Sequence, residues 1–231
     1  MMDNRDIAVF VGAFGSGKTE TAINYVLKSA QSNPEKKHAL VDLDIVNPYF
    51  RSREEEQYLT ERNIRVICTS LDSRQADLPA LSPEIFSVFQ DTSYNAVFDV
   101  GGDPNGARVL GRYHQYFEAE PAYQMYLVVN PYRPMTGTPQ GIVDMANSIV
   151  PRSRIRLTGI VCNAHMKAET DLPIIKRGYE IVKQSADALQ LPISFICVPE
   201  WLQVSQEEFA EPLFPLQLFM MPFWEKGQPG Q

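Results

Sequence analysis

The 231-residue chain is poor in cysteine: Cys68, Cys162 and Cys197 lie far apart, each within an apolar run. That excludes a disulfide framework and reads as small buried hydrophobes in a reducing compartment. No Cys-x-x-Cys or Cys-x-His occurs, and His38, His114 and His165 are scattered, so no metal-ligand cluster stands out. No apolar run approaches the length that crosses a bilayer. The opening Met1-Met2-Asp3-Asn4-Arg5-Asp6 is polar, unlike a signal peptide. A cytoplasmic protein without a membrane span is expected. Positive charge is also scarce, with 21 Lys and Arg against 28 Asp and Glu, a net charge of −7. That argues against broad binding to nucleic acid or anionic membrane. The basic stretch Pro151-Arg152-Ser153-Arg154-Ile155-Arg156 is read as a complement to a helix C-terminus.

There is no internal repeat and no low-complexity linker, so one domain over 1–231 is the expectation, with 200–231 as a C-terminal packing tail. Within that tail, Phe214 to Trp224 is apolar but interrupted by Pro215, Gln217 and Pro222. Short β-branched runs alternate with longer amphipathic stretches elsewhere. Strands are expected near 6–11, 38–43, 64–69, 95–100, 123–129, 156–162 and 193–198. Helices are expected near 17–31, 52–62, 82–91, 105–118, 138–149 and 171–189. The pattern predicts an α/β fold: a mostly parallel sheet of seven or eight strands with helices on both faces.

The most specific feature follows the first apolar run. Gly12-Ala13-Phe14-Gly15-Ser16-Gly17-Lys18-Thr19 has the spacing G-x-x-x-x-G-K-[ST] between an expected strand and an expected helix. Glycines let successive N–H groups turn inward into an anion-binding nest, and the helix adds its N-terminal dipole. Lys18 can reach β- and γ-phosphates, and the Thr19 hydroxyl suits Mg²⁺. Glu20 is counted with these nucleotide contacts.

In a parallel sheet, ligands sit at the carboxyl ends of strands, and chemistry-bearing residues recur there. The second strand ends in Asp42-Leu43-Asp44 and runs into Ile45-Val46-Asn47-Pro48, whose Asn-Pro breaks regular structure. Two acids two residues apart share one side of an extended segment, where they can orient water or hold a metal shell. The fourth strand ends in Asp99-Val100-Gly101-Gly102-Asp103. A carboxylate closing a buried strand needs a cation, so Asp99 fits the metal and Gly102 a γ-phosphate contact. After the sixth strand, Asn163 offers donor and acceptor groups that suit an adenine edge. Met166 stands where a guanine site would carry an acid, which disfavours GTP. After the seventh strand, Val198-Pro199-Glu200 is placed to close over the base, and Pro199 is the contact assigned. Asn130-Pro131-Tyr132-Arg133-Pro134 follows the fifth strand at the same edge. Arg133 there is either a phosphate or partner contact or part of an ordinary rigid loop.

With these residues, the chain resembles the SIMIBI class of P-loop NTPases, most closely the MinD/ParA and nitrogenase-iron-protein-like ATPases, over most of residues 6 to 200. The resemblance implies ATP and Mg²⁺ as cofactors. It makes Lys18, Asp44 and Asp42 the catalytic set, with Asp44 positioning the hydrolytic water and Asp42 supporting the metal shell. Thr19, Asp44 and Asp99 become the metal set, and Asn163 reads adenine. It further implies a nucleotide-dependent homodimer that signals to a protein partner. One departure is clear: the MinD/ParA subset has a lysine at the position of Ala13, where it reaches the partner's nucleotide. Arg51, Arg53, Arg108 and Arg133 are the candidate replacements. No ligand pair for an iron–sulfur cluster is present.

Three other readings remain open at the level of sequence. A GTPase of the urease and hydrogenase maturation type shares the phosphate loop and Gly101-Gly102-Asp103. A small-molecule kinase or a ligase of the dethiobiotin-synthetase type would need Tyr49, Arg51, Arg133 and His165 to line a substrate pocket. A nucleotide-gated binding module would hold nucleotide and scarcely turn it over.

Overall fold

A computed structural model describes residues 6–44, 56–68, 83–102, 104–119 and 122–219. Eight strands form one sheet in the order β3-β2-β4-β1-β5-β6-β7-β8, and every neighbouring pair is parallel. They are β1 (Ile7–Val11), β2 (Lys37–Asp42), β3 (Ile64–Cys68), β4 (Tyr94–Asp99), β5 (Tyr123–Val129), β6 (Gly159–Cys162), β7 (Ile193–Pro199) and β8 (Leu213–Leu216). The helices are α1 (Lys18–Ser32), α2 (Glu56–Thr60), α3 (Pro83–Gln90), α4 (Pro104–Gly111), α5 (His114–Glu118), α6 (Pro139–Ser153) and α7 (Leu172–Leu189).

β1 is central and buried along its whole length. Its side chains alternate between two cores, as strand geometry requires. Ile7, Val9 and Val11 meet residues of α3 to α7, whereas Ala8 and Phe10 meet α1 and α2. Among the described residues, five helices thus cover one face and two the other. From β1 the chain moves out to β2 and β3, returns to β4, and crosses β1 to reach β5. The strand order therefore reverses at β1, where such sheets open a crevice for ligands.

The expected strands and helices are found, with four differences. The stretch 105–118 divides into α4 and α5 because Gly111 lies against α6, where a Cβ would overlap the Arg152 carbonyl. β6 begins at Gly159, not 156, because the Thr158 hydroxyl takes the Met125 N–H at 2.9 Å in place of a strand carbonyl. α6 runs past 149 to Ser153 and tolerates Pro151 in its last turn; Arg154, at φ 59°, closes it through Val150. Part of the expected tail is β8, a sheet edge where Pro215 needs no ladder partner on its open side. Met1–Arg5, Ile45–Pro48, Tyr49, Arg51, Arg53, Asp103 and residues 220–231 lie outside the described residues.

Candidate phosphate and metal site

The turn after β1 has the backbone that its glycines allow. Gly12, Gly15 and Gly17 have φ of 145°, 73° and 84°, which side chains resist. At Gly17 a Cβ would also overlap the Asn163 amide nitrogen. Gly17 is the N-cap of α1, and no side chain caps that end. Gly17 brings no capping side chain to the helix start, where the backbone amides and the dipole favour an anion. Lys18 is buried, and its ammonium donates to the Ala13 carbonyl at 3.0 Å. Ser16 Oγ is buried with no hydrogen-bond partner.

Parallel registry places the acids. Asp42 is level with Asp99 across β2 and β4, and Asp99 is level with Phe10 on β1. Thr19, in the first turn of α1, donates its hydroxyl to Asp99 Oδ2 at 2.7 Å. Asp99 Oδ1 is buried and has no partner. Burial, with Asp42 and Asp44 nearby, pushes the Asp99 carboxyl up to about 7, against the opposing pull of Lys18 and Thr19. Asp42 Oδ1 accepts the Asp44 N–H at 2.9 Å, which folds the strand end back on itself. Gly101 lies beside Asp44, where a Cβ would be 3.1 Å from Oδ1.

These positions fit a divalent cation. A deeply buried carboxylate oxygen is left bare beside a hydroxyl, and two further acids raise the local negative charge. Among the described residues no three His, Cys, Asp or Glu side chains form a closed metal cage. Mg²⁺ ordinarily keeps several waters and takes phosphate oxygens, so Thr19 and Asp99 with Asp42 and Asp44 behind them suit it.

Gly102 completes the cradle. A Cβ there would stand 2.8 Å from the Phe14 N and 2.9 Å from Lys18 Nζ. Both are closer than packing allows, so only glycine lets the chain after β4 lie this close to the loop and to Lys18.

On the other flank Asn163 is buried at the end of β6. Its amide donates to the Ser16 carbonyl at 2.7 Å and so ties β6 to the turn. Arg133 and His165, both weighed from sequence for a substrate pocket, also converge here. Arg133 donates through Nε to the Gly15 carbonyl at 2.9 Å. His165 packs by Gly17, and burial first, then Arg133 and Lys167, depresses its imidazole to about 4. Asn130, fully buried, holds the two loops together. Its side chain accepts from Tyr132 N at 3.1 Å and donates to the His165 carbonyl at 3.1 Å.

The remaining sequence candidates lie as follows. Ala13 is 2 % exposed and belongs to the core, so a side chain there would face inward. Phe14 projects outward, 65 % exposed. Glu20 turns its carboxylate to the Phe219 N–H on the flank of α1, away from the cradle. Pro199 ends β7, and its carbonyl takes the Leu202 N–H at 2.9 Å. Of the four residues that a kinase pocket would need, Arg133 and His165 meet at the loop; Tyr49 and Arg51 are not among the described residues. Arg108 lies on α4. No described helix is long and apolar enough to cross a membrane.

No protein-family model and no curated protein sequence matches the chain. Solved structures do. The cell division protein FtsY of Thermotoga maritima aligns at TM-score 0.57 and 19% identity, over 84% of this chain and 62% of that one. The signal recognition particle receptor FtsY of Elizabethkingia anophelis, in complex with GDP, aligns at 0.55 and 19%, over 84% and 57%. The signal recognition particle 54 kDa protein of Aeropyrum pernix, also with GDP, aligns at 0.54 and 19%, over 84% and 41%. The chain spans about three-fifths or less of the length of these structures. The fold is the one that these structures share.

Proposed function

We propose that the protein is a Mg²⁺-dependent P-loop nucleoside triphosphatase that works as a nucleotide-driven switch for a protein partner. The observation that carries this reading is the pairing of Thr19 with one oxygen of Asp99 while the other oxygen stays buried and bare beside Lys18. Residues 12–19 receive the phosphates through backbone amides and the Lys18 ammonium, which leaves the Ala13 carbonyl for the ligand. Thr19 and Asp99 would hold Mg²⁺, which would supply positive charge to offset that of the phosphates. Asp44, on a strand end braced by Asp42, orients the attacking water, and Gly102 gives its N–H to the γ-phosphate. Catalysis then rests on positioning and on fixed charge.

ATP is the proposed nucleotide. With one amide hydrogen committed to Ser16, Asn163 retains a carbonyl oxygen. That acceptor complements the exocyclic amine of adenine, while the second N–H of the same amide would suit the oxygen that guanine presents there. Met166 supplies no acid for guanine. GTP is the second reading, favoured by the GDP in two matched structures. Titration calorimetry with ATP and GTP, with and without Mg²⁺, decides between them. Absence of heat with either would end the proposal.

A homodimer closing over the nucleotide fits two exposed apolar side chains beside the cradle. Phe14 is 65 % and Met135 64 % exposed, and Met135 lies two residues from the loop-bound Arg133. With Ala13 facing inward, Arg133 is the basic side chain that the loop already holds. Sedimentation with and without a nonhydrolysable analogue tests the dimer.

A further inference from the structure

At the sheet edge opposite the phosphate cradle, a cleft of about 360 Å³ opens between α1 and strands β5, β7 and β8. That volume lies in the range of small-molecule sites. Its walls are aromatic: Tyr25, Tyr126, Phe195 and Phe214 line it. The Phe195 and Phe214 rings are 4.8 Å apart, and Tyr25 stacks against both at 6.4 and 6.3 Å. One carboxylate, Asp6, lies among them, and Tyr25 donates to it at a long 3.4 Å. Burial lifts the Asp6 carboxyl above its usual range, with only the Tyr25 hydroxyl and the nearby His38 opposing the shift. Such an acid gains from an arriving cation.

The lining already shows how it treats one. Lys28 lays its ammonium 4.7 Å from the centroid of the Phe214 ring, so the aromatic lining here already carries a positive charge. Seryl hydroxyls of Ser29, Ser32 and Ser194 add polar contacts.

We propose that this cleft binds a small organic amine, its ammonium on Asp6 and its apolar body against Tyr126, Phe195 and Phe214. The site is distinct from the phosphate cradle and does not depend on the nucleotide reading. It is nevertheless built from the same two elements. β1 starts after Asp6 and ends at the phosphate loop, and α1 starts at that loop and ends at the cleft.

The test is calorimetric titration of the full chain, without nucleotide, with 2-phenylethylamine and with 3-phenylpropionate, which exchanges the amine for a carboxylate. The amine is expected to bind and the carboxylate to bind at least about tenfold more weakly. Asp6→Asn should weaken the amine about tenfold or more. Lys28→Gln, on the rim of α1, removes a competing cation and should leave amine binding unchanged or tighter. It keeps the proposal testable if Asp6→Asn does not fold. Absence of amine binding, preference for the carboxylate, full binding by Asp6→Asn, or loss of binding in Lys28→Gln would each overturn the site.

Discussion

Thr19 and Asp99, eighty residues apart in sequence, share a 2.7 Å hydrogen bond that leaves half of the carboxylate buried without a partner. The raised carboxyl shows that this arrangement costs stability. In the unfolded chain Asp99 ionises at its ordinary pKa, whereas in the fold it does so only near 7. Stability is therefore lost as pH rises from the ordinary carboxylate range through 7. Asp99→Asn should raise the thermal midpoint of the nucleotide-free protein, by the equivalent of about 1–2 kcal/mol, and more at pH 8 than at pH 5. The same variant should lose the Mg²⁺ dependence of nucleotide binding. Calorimetry at the two pH values checks both outcomes.

Lys18→Ala should abolish nucleotide binding, since the ammonium is the buried cation of the cradle. Asp44→Asn should spare binding and depress turnover about a hundredfold. Parental turnover in Asp44→Asn would remove its assignment to the attacking water.

Gly102→Ala tests the close approach of the β4 end to the phosphate loop. The added methyl would stand 2.8 Å from Phe14 N and 2.9 Å from Lys18 Nζ, so the loop or the ammonium must shift. Nucleotide affinity should fall about tenfold or more. Parental affinity in titration calorimetry would remove Gly102 from the site.

His165 gives the protein an acid-sensitive brace. Its imidazole is held at about 4, against an ordinary 6.5, so the unfolded chain takes up the proton first. Stability should fall as pH drops from 6.5 toward 4, by about 3 kcal/mol at most, and then level off. Urea midpoints of the parent and His165→Gln across this interval isolate the contribution; identical profiles would show that His165 carries none.

Local pattern made the cradle legible. The glycine spacing, Lys18, Thr19 and the strand-ending Asp99 are each defined by a few neighbouring residues, and the structure brings them together. What sequence did not reveal depends on distant chain. The bracing role of Asn130 arises from the His165 loop thirty-five residues on. The break at Gly111 comes from the Arg152 carbonyl of another helix. The Glu20 carboxylate accepts from the Phe219 N–H, a partner almost two hundred residues on that no local pattern announces. By sequence the tail around Pro215 reads only as a packing segment; that part of it forms an edge strand, which proline tolerates, depends on the strand order.

That strand order also governs how the molecule comes off the ribosome. β1 is synthesised first, yet its two neighbours are β4 and β5, which end at Asp99 and Val129. The chain through Val129 must emerge before the central ribbon is flanked on both sides. Until then an apolar segment waits exposed, which invites chaperone capture or misassembly during translation.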